Sequence, residues 1–232
     1  MTGAFTGFTR EGIQFLADLA ANNDRAWFQP RKAEYERLLK EPLTALCADL
    51  ADRFEKAGLP LRSDPAKSPF RIYRDVRFSS DKRPYKTQVS ASFPFTEEGG
   101  GVGAYFHLEP GDIFAGGGMW HPEPVRLAGW RRLVVERTED VVEVVEAPAF
   151  VEAFGEVGGD GLRRVPAGFP PDHPQARLLK LKDVTFGRRL SDAEAMSPEL
   201  PDLLTSTYAI AVPLLRLLAS LPAETRAGWL RE

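Results

Sequence analysis

Cysteine and histidine are scarce in this chain, with one cysteine and three histidines among 232 residues. A single thiol excludes an intramolecular disulfide and every cysteine-rich zinc site. Cys47 lies in LTALCADL on a helical apolar pattern with no histidine or basic residue close by, so it reads as a small buried thiol. A strong net charge is also lacking. The formal charge of −3 argues against a surface built throughout for nucleic acid or anionic lipid. The opening MTGAFTGFTREG has no basic segment leading into an apolar run, which argues against a signal peptide. The late apolar stretch YAIAVPLLRLLASL reads as too short for a bilayer span and is interrupted by Pro213 and Arg216. Cytoplasmic residence without a membrane is the resulting expectation. The glycine runs GGGVG (Gly99–Gly103) and GGG (Gly116–Gly118) lack the lysine–serine/threonine ending that a phosphate loop needs. The first reads as a hairpin connection, the second as a place where another backbone or a ligand comes close.

What the chain does hold is ample apolar material, 43% hydrophobic and 10% aromatic, enough for a real core. Thr9 is placed to cap a helix carrying Ile13, Leu16 and Leu19, and NND at Asn22–Asp24 ends it and caps the next. Pro42 suits the first turn of a helix with Leu43, Leu46, Leu50 and Phe54 on one side, stopped by Gly58 and Pro60. The middle third reads as strands. FRIYRDVRF alternates Phe70, Ile72, Val76 and Phe78 with polar positions, and Val89, Ala91, Phe93 and Phe95 repeat the pattern. Ala104–Leu108 and Ile113–Gly116 read as a hairpin about Pro110-Gly111-Asp112. Pro124 is placed to open a helix with Trp130, a strand is expected over Leu178–Phe186, and a helix near Leu200–Leu221 carries Pro213 as a kink or break. Helices, then strands, then helices predict an α+β fold: one domain over residues 1–232, its mostly antiparallel sheet flanked by N-terminal and C-terminal helices.

Positive charge is concentrated in RIYRDVRFSSDKRPYKT. Arg71, Arg74, Arg77, Lys82, Arg83 and Lys86 face only Asp75 and Asp81, so this window carries +4 and the remaining chain −7. On a strand, Arg71, Tyr73, Asp75 and Arg77 share a face, and the SSDKRPY turn brings Lys82, Tyr85 and Lys86 back toward it. Arginine offers a planar fork to phosphate or carboxylate and lysine a mobile point charge. The candidate anion contacts are therefore Arg71, Arg74, Arg77, Lys82 and Lys86, with Tyr73 and Tyr85 shaping the pocket. An internal network is the competing reading, in which Arg74 pairs with a carboxylate and Arg71 and Arg77 flank Asp75. Asp75 or His173 would serve as a proton carrier if the site were catalytic.

The histidines His107, His121 and His173 allow one metal set to be written, His121 and Glu123 from WHPEP with His173. Prolines follow His121 and His173, a setting that also simply fixes a loop. His107, between Phe106 and Leu108, reads as surface or pocket lining. Trp27, Phe28, Trp120 and Trp130 read as core or pocket wall.

FLADLAANNDRAWFQPRKAEYE, RIYRDVRFSSDKRPYKT, GGGMWHPEP and PAGFPPDHPQARLLKLKD together resemble the bacterial and fungal family called domain of unknown function 2461. The resemblance spans nearly the whole chain. It implies one domain in which the basic segment and the DHP loop are family features, and it brings no activity, cofactor or catalytic residue. Three functions fit the residues: binding, with or without chemistry, of a small anionic metabolite, a phosphorylated one included; docking of the basic edge on nucleic acid or an acidic protein; and metal-dependent oxygenase or hydrolase chemistry. The first is the leading one, and no particular cofactor or oligomeric state is indicated.

Overall fold

The computed structural model describes residues 4–97 and 101–222. Helix α1 (Arg10–Ala21) begins where the Thr9 hydroxyl accepts from the Gly12 N–H, and the Asp24 carboxylate accepts from the Trp27 N–H to start α2 (Arg25–Phe28). The chain stays helical through a 3-10 turn (Gln29–Arg31), α3 (Lys32–Tyr35) and a π-helical turn (Glu36–Lys40) into α4 (Glu41–Lys56). Leu43, Leu46, Leu50 and Phe54 of α4 are buried, and Gly58 leaves the helix with φ +63.

Four antiparallel strands follow in spatial order β1 (Val89–Pro94), β2 (Gly103–Glu109), β3 (Asp112–Met119) and β4 (Val184–Leu190). The β2–β3 turn is the Pro110-Gly111 pair, Gly111 taking φ +79 and Glu109 facing Asp112. Between β3 and β4 run α5 (Pro124–Glu136), α6 (Thr138–Val145), α7 (Pro148–Phe154) and α8 (Ala176–Leu179); α9 (Asp192–Met196) and α10 (Leu200–Ala219) close the described chain. The fold is α+β, with helices ahead of and behind an antiparallel sheet.

One sheet face carries Ala91, Phe93, Ala104, Phe106, Ile113, Ala115, Val184 and Phe186, all buried. Phe54 and Tyr208 meet Phe93 there, Phe8 stacks on Phe106, and Phe150 and Phe154 meet Phe186. The helical layer thus covers this face. On the other, Tyr105 and Phe114 are half-buried and Gly187 and Arg189 exposed.

Three local expectations are corrected. Phe70–Phe78 does not form a strand; only isolated bridges, Pro69 with Ala91 and Tyr73 with Tyr85, occur there. The strand expected over Leu178–Phe186 is the end of α8, a turn, and the start of β4, because Lys180 and Leu181 donate backward to Arg177 and Leu178 in helical turns. Helix α10 runs through Pro213 for 20 residues, long and apolar enough by length and composition to cross a membrane, contrary to the short span read from sequence. Its Leu204, Tyr208, Ala211, Leu214, Leu215 and Leu218 are nevertheless buried in the core, while Pro213 faces outward.

Gly116–Gly118 lie inside β3, pinched between β2 and β4. A Cβ on Gly118, at φ +116, would stand 2.2 Å from the Val184 carbonyl oxygen. Strain and overlap together predict that Gly118→Ala costs about 3 kcal/mol or more of stability, read by chemical denaturation.

Candidate functional site

The basic segment is a narrow loop laid beside the sheet edge. Phe70 donates its N–H to the Ser90 carbonyl at 2.9 Å, then the chain leaves β1. Its two arms close on each other, with Lys86 N–H to Ile72 O at 2.8 Å and Arg74 N–H to Pro84 O at 2.9 Å. Pro84 has no N–H to extend this ladder, and the tip beyond it turns to side-chain hydrogen bonds. Phe78, expected on a buried strand face, is instead 96% exposed.

Asn23, missed by the sequence reading except as a helix terminator, holds the returning arm. Its Nδ2 donates to Tyr85 O and its Oδ1 accepts from Tyr85 N–H, both at 3.0 Å. Tyr85 is buried and stacks on Phe28 at 4.1 Å, so it is a core anchor rather than a pocket wall. Tyr73, at 5.5 Å from Tyr85, is 44% exposed.

Most of the cations have partners inside the loop. Asp81 takes Arg74 at 2.7 Å and a bidentate Arg83 whose Nη2 lies at 2.8 Å; Asp75 takes a bidentate Arg77 with Nη2 at 2.6 Å. Lys82 Nζ donates to the Val76 carbonyl at 2.9 Å. Arg77 and Lys82 are therefore committed to separate partners. The guanidinium of Arg77 pulls the Asp75 carboxyl down to about 2, and Arg83, then Arg74, holds Asp81 lower still. Asp75 is then a poor proton carrier at neutral pH. Because both folded values are depressed, the clasp is fully formed above the ordinary carboxyl value of 3.8; its Asp75 pair is lost as pH falls through about 2, and its Asp81 pairs only below that. Amide NMR signals of residues 74–83 should shift reversibly over that window, and a flat response would contradict the clasp.

Arg71 and Lys86 differ. Among the described residues no carboxylate forms an ion pair with either, although Asp75 lies within electrostatic range of Arg71. Lys86 is half-buried with its Nζ 4.9 Å above the Phe70 ring, and burial, then Arg71, lowers its pKa. Phe70 meets Tyr105 edge-on at 6.2 Å, joining the pair to the open sheet face. There Tyr105 Oη lies 3.1 Å from His107 Nδ1, and His107 Nε2 lies 3.4 Å from Glu109 Oε2. The i, i+2, i+4 spacing of Tyr105, His107 and Glu109 on a strand was the sequence signal for this grouping.

The set His121, Glu123 and His173 is not brought together. His173 Nδ1 accepts from the Gln175 N–H and its Nε2 lies 3.3 Å from the Thr138 hydroxyl, so both nitrogens are engaged. His121 stacks on Trp120, which is 56% exposed rather than core, and its N–H donates to buried Asp183 at φ 45. Cys47 is fully buried and its thiol is pushed up to about 12 by burial, which makes it inert. A hollow of about 480 Å³ beside Phe5, Glu36, Arg37 and Pro42 includes no residue of the basic loop.

The family model described as conserved hypothetical protein, DUF2461, matches residues 11–216, from α1 into α10 and across every strand and the basic loop. The chain belongs to that family. Its description assigns no activity to DUF2461 proteins. Comparisons with curated proteins and with solved structures give no match.

Proposed function

We propose that this DUF2461 protein binds a small phosphate- or carboxylate-bearing metabolite through Arg71 and Lys86, in the cytoplasm. The carrying observation is that these two cations lie within electrostatic range of one another and have no ion-pair partner among the described residues, while Arg74, Arg77 and Arg83 are each held by Asp75 or Asp81. Two like charges, one of them half-buried, are stabilised by an anion between them. Arg74, Arg77 and Lys82 frame the loop and add positive field; Phe70 and Tyr73 supply walls.

Inorganic pyrophosphate titrated by NMR tests this. Shifts are expected at Phe70, Arg71 and Lys86, and Arg71→Gln or Lys86→Gln should weaken binding ~10-fold or more, the scale of one charged hydrogen bond. Lys82→Gln should change it little. Equal sensitivity to all three substitutions, or no binding, would overturn the assignment.

The exposure of Phe78 favours a second reading. A loop presenting this ring with Arg77 and Lys82 suits docking on an acidic protein or single-stranded nucleic acid. Binding to an oligonucleotide that falls steeply with salt and is lost in Phe78→Ala would favour it over the metabolite site.

A further inference from the structure

We infer that His107, Glu109 and Asp112, at the β2–β3 hairpin, form a binding site for a divalent first-row transition-metal ion. Their ligand atoms all lie within 4.8 Å of one another, and among the described residues this is the one such histidine–carboxylate group. The backbone places them. His107 and Glu109 alternate onto the open sheet face, and the two-residue turn sets Asp112 directly across from Glu109.

The first pair has a chelating spacing. Two donors bound at about 2.1 Å and a tetrahedral angle apart are separated by about 3.4 Å, and His107 Nε2 and Glu109 Oε2 stand 3.4 Å apart. Both donors are oriented by neighbours that leave the facing atom available. The Thr87 hydroxyl bonds the other Glu109 oxygen, Oε1, and the Tyr105 hydroxyl lies against His107 Nδ1. In the tautomer that donates Nδ1–H to the Tyr105 oxygen, the Nε2 lone pair faces Glu109 and is open to a metal ion; in the other tautomer, Nε2–H bonds the Glu109 carboxylate directly, and the metal replaces that proton. The ring itself is fixed, 9% exposed and stacked on Phe114 at 4.8 Å.

Asp112 is held by Arg189 at 2.8 Å, with side chains 47% and 76% exposed. An exposed pair of this kind contributes little and yields to a metal ion. One imidazole and two carboxylates suit zinc, iron, cobalt or manganese, and leave coordination positions for water. The site is separate from the Arg71–Lys86 pair and stands or falls independently of it.

Tag-free full-length protein titrated with Zn²⁺ by calorimetry, and with Co²⁺ by visible absorption, tests the assignment. One equivalent should bind, and Glu109→Gln and Asp112→Asn should each weaken binding ~10-fold or more. Asp140→Asn, on α6, should bind as the unmodified chain does. Thermal melts report whether each variant is folded; should one fail, the other decides. No stoichiometric binding, or wild-type affinity in the folded variants, would overturn the site.

Discussion

Replacing Trp130 by alanine should lower the unfolding free energy by about 4–5 kcal/mol, the largest single effect expected outside the sheet. The ring is fully buried, and its Nε1 donates to the Leu178 carbonyl at 3.1 Å. Its neighbour Arg131 donates to the carbonyls of Leu179 and Leu181. Two consecutive residues of α5 therefore satisfy three carbonyls where α8 ends and the chain turns toward β4. Truncation leaves a large cavity and takes the indole donor from the Leu178 carbonyl, which keeps only the Leu181 N–H. Trp130→Phe, which refills most of the volume and loses only the hydrogen bond, should cost about 1–2 kcal/mol. Urea denaturation of both variants measures the difference; equal losses would mean the hydrogen bond is the whole effect.

Asn23→Ala should cost about 2–3 kcal/mol, because it strips both backbone groups of buried Tyr85 of their partners at once. Its second consequence is functional. The arm carrying Lys86 hangs from Tyr85, so pyrophosphate affinity should fall although no charge has been removed. Asn23→Asp keeps the acceptor for the Tyr85 N–H but sets a carboxylate oxygen against the Tyr85 carbonyl, so it should not restore stability. Unchanged melting and affinity in both variants would remove Asn23 from the account.

Periodicity made the helices and the hairpin legible because each buries one face against a single layer. Leu43, Leu46, Leu50 and Phe54 repeat at helical spacing and are all buried. The basic segment misled for a physical reason. Alternation in FRIYRDVRF is a strand signal only where a neighbouring strand accepts the ladder, and here Asp75, Asp81 and Asn23 supply local partners that let the chain double back. Composition registered the concentration of charge but not which cations Asp75 and Asp81 would take. That left Arg71 and Lys86 indistinguishable in sequence from Arg74 and Arg77. The His107–Glu109–Asp112 grouping was hidden because its third member depends on hairpin register, whereas His121, Glu123 and His173 looked promising only on residue type.

The Lys86 ammonium is where the anion reading is most exposed to test. In the free protein it should titrate below the ordinary lysine value of 10.5, since burial and Arg71 both oppose its charge. Selective NMR observation of its side chain should show that value rising when pyrophosphate is added, because an anion beside it favours the charged form. An ordinary titration that pyrophosphate leaves unmoved would contradict the account.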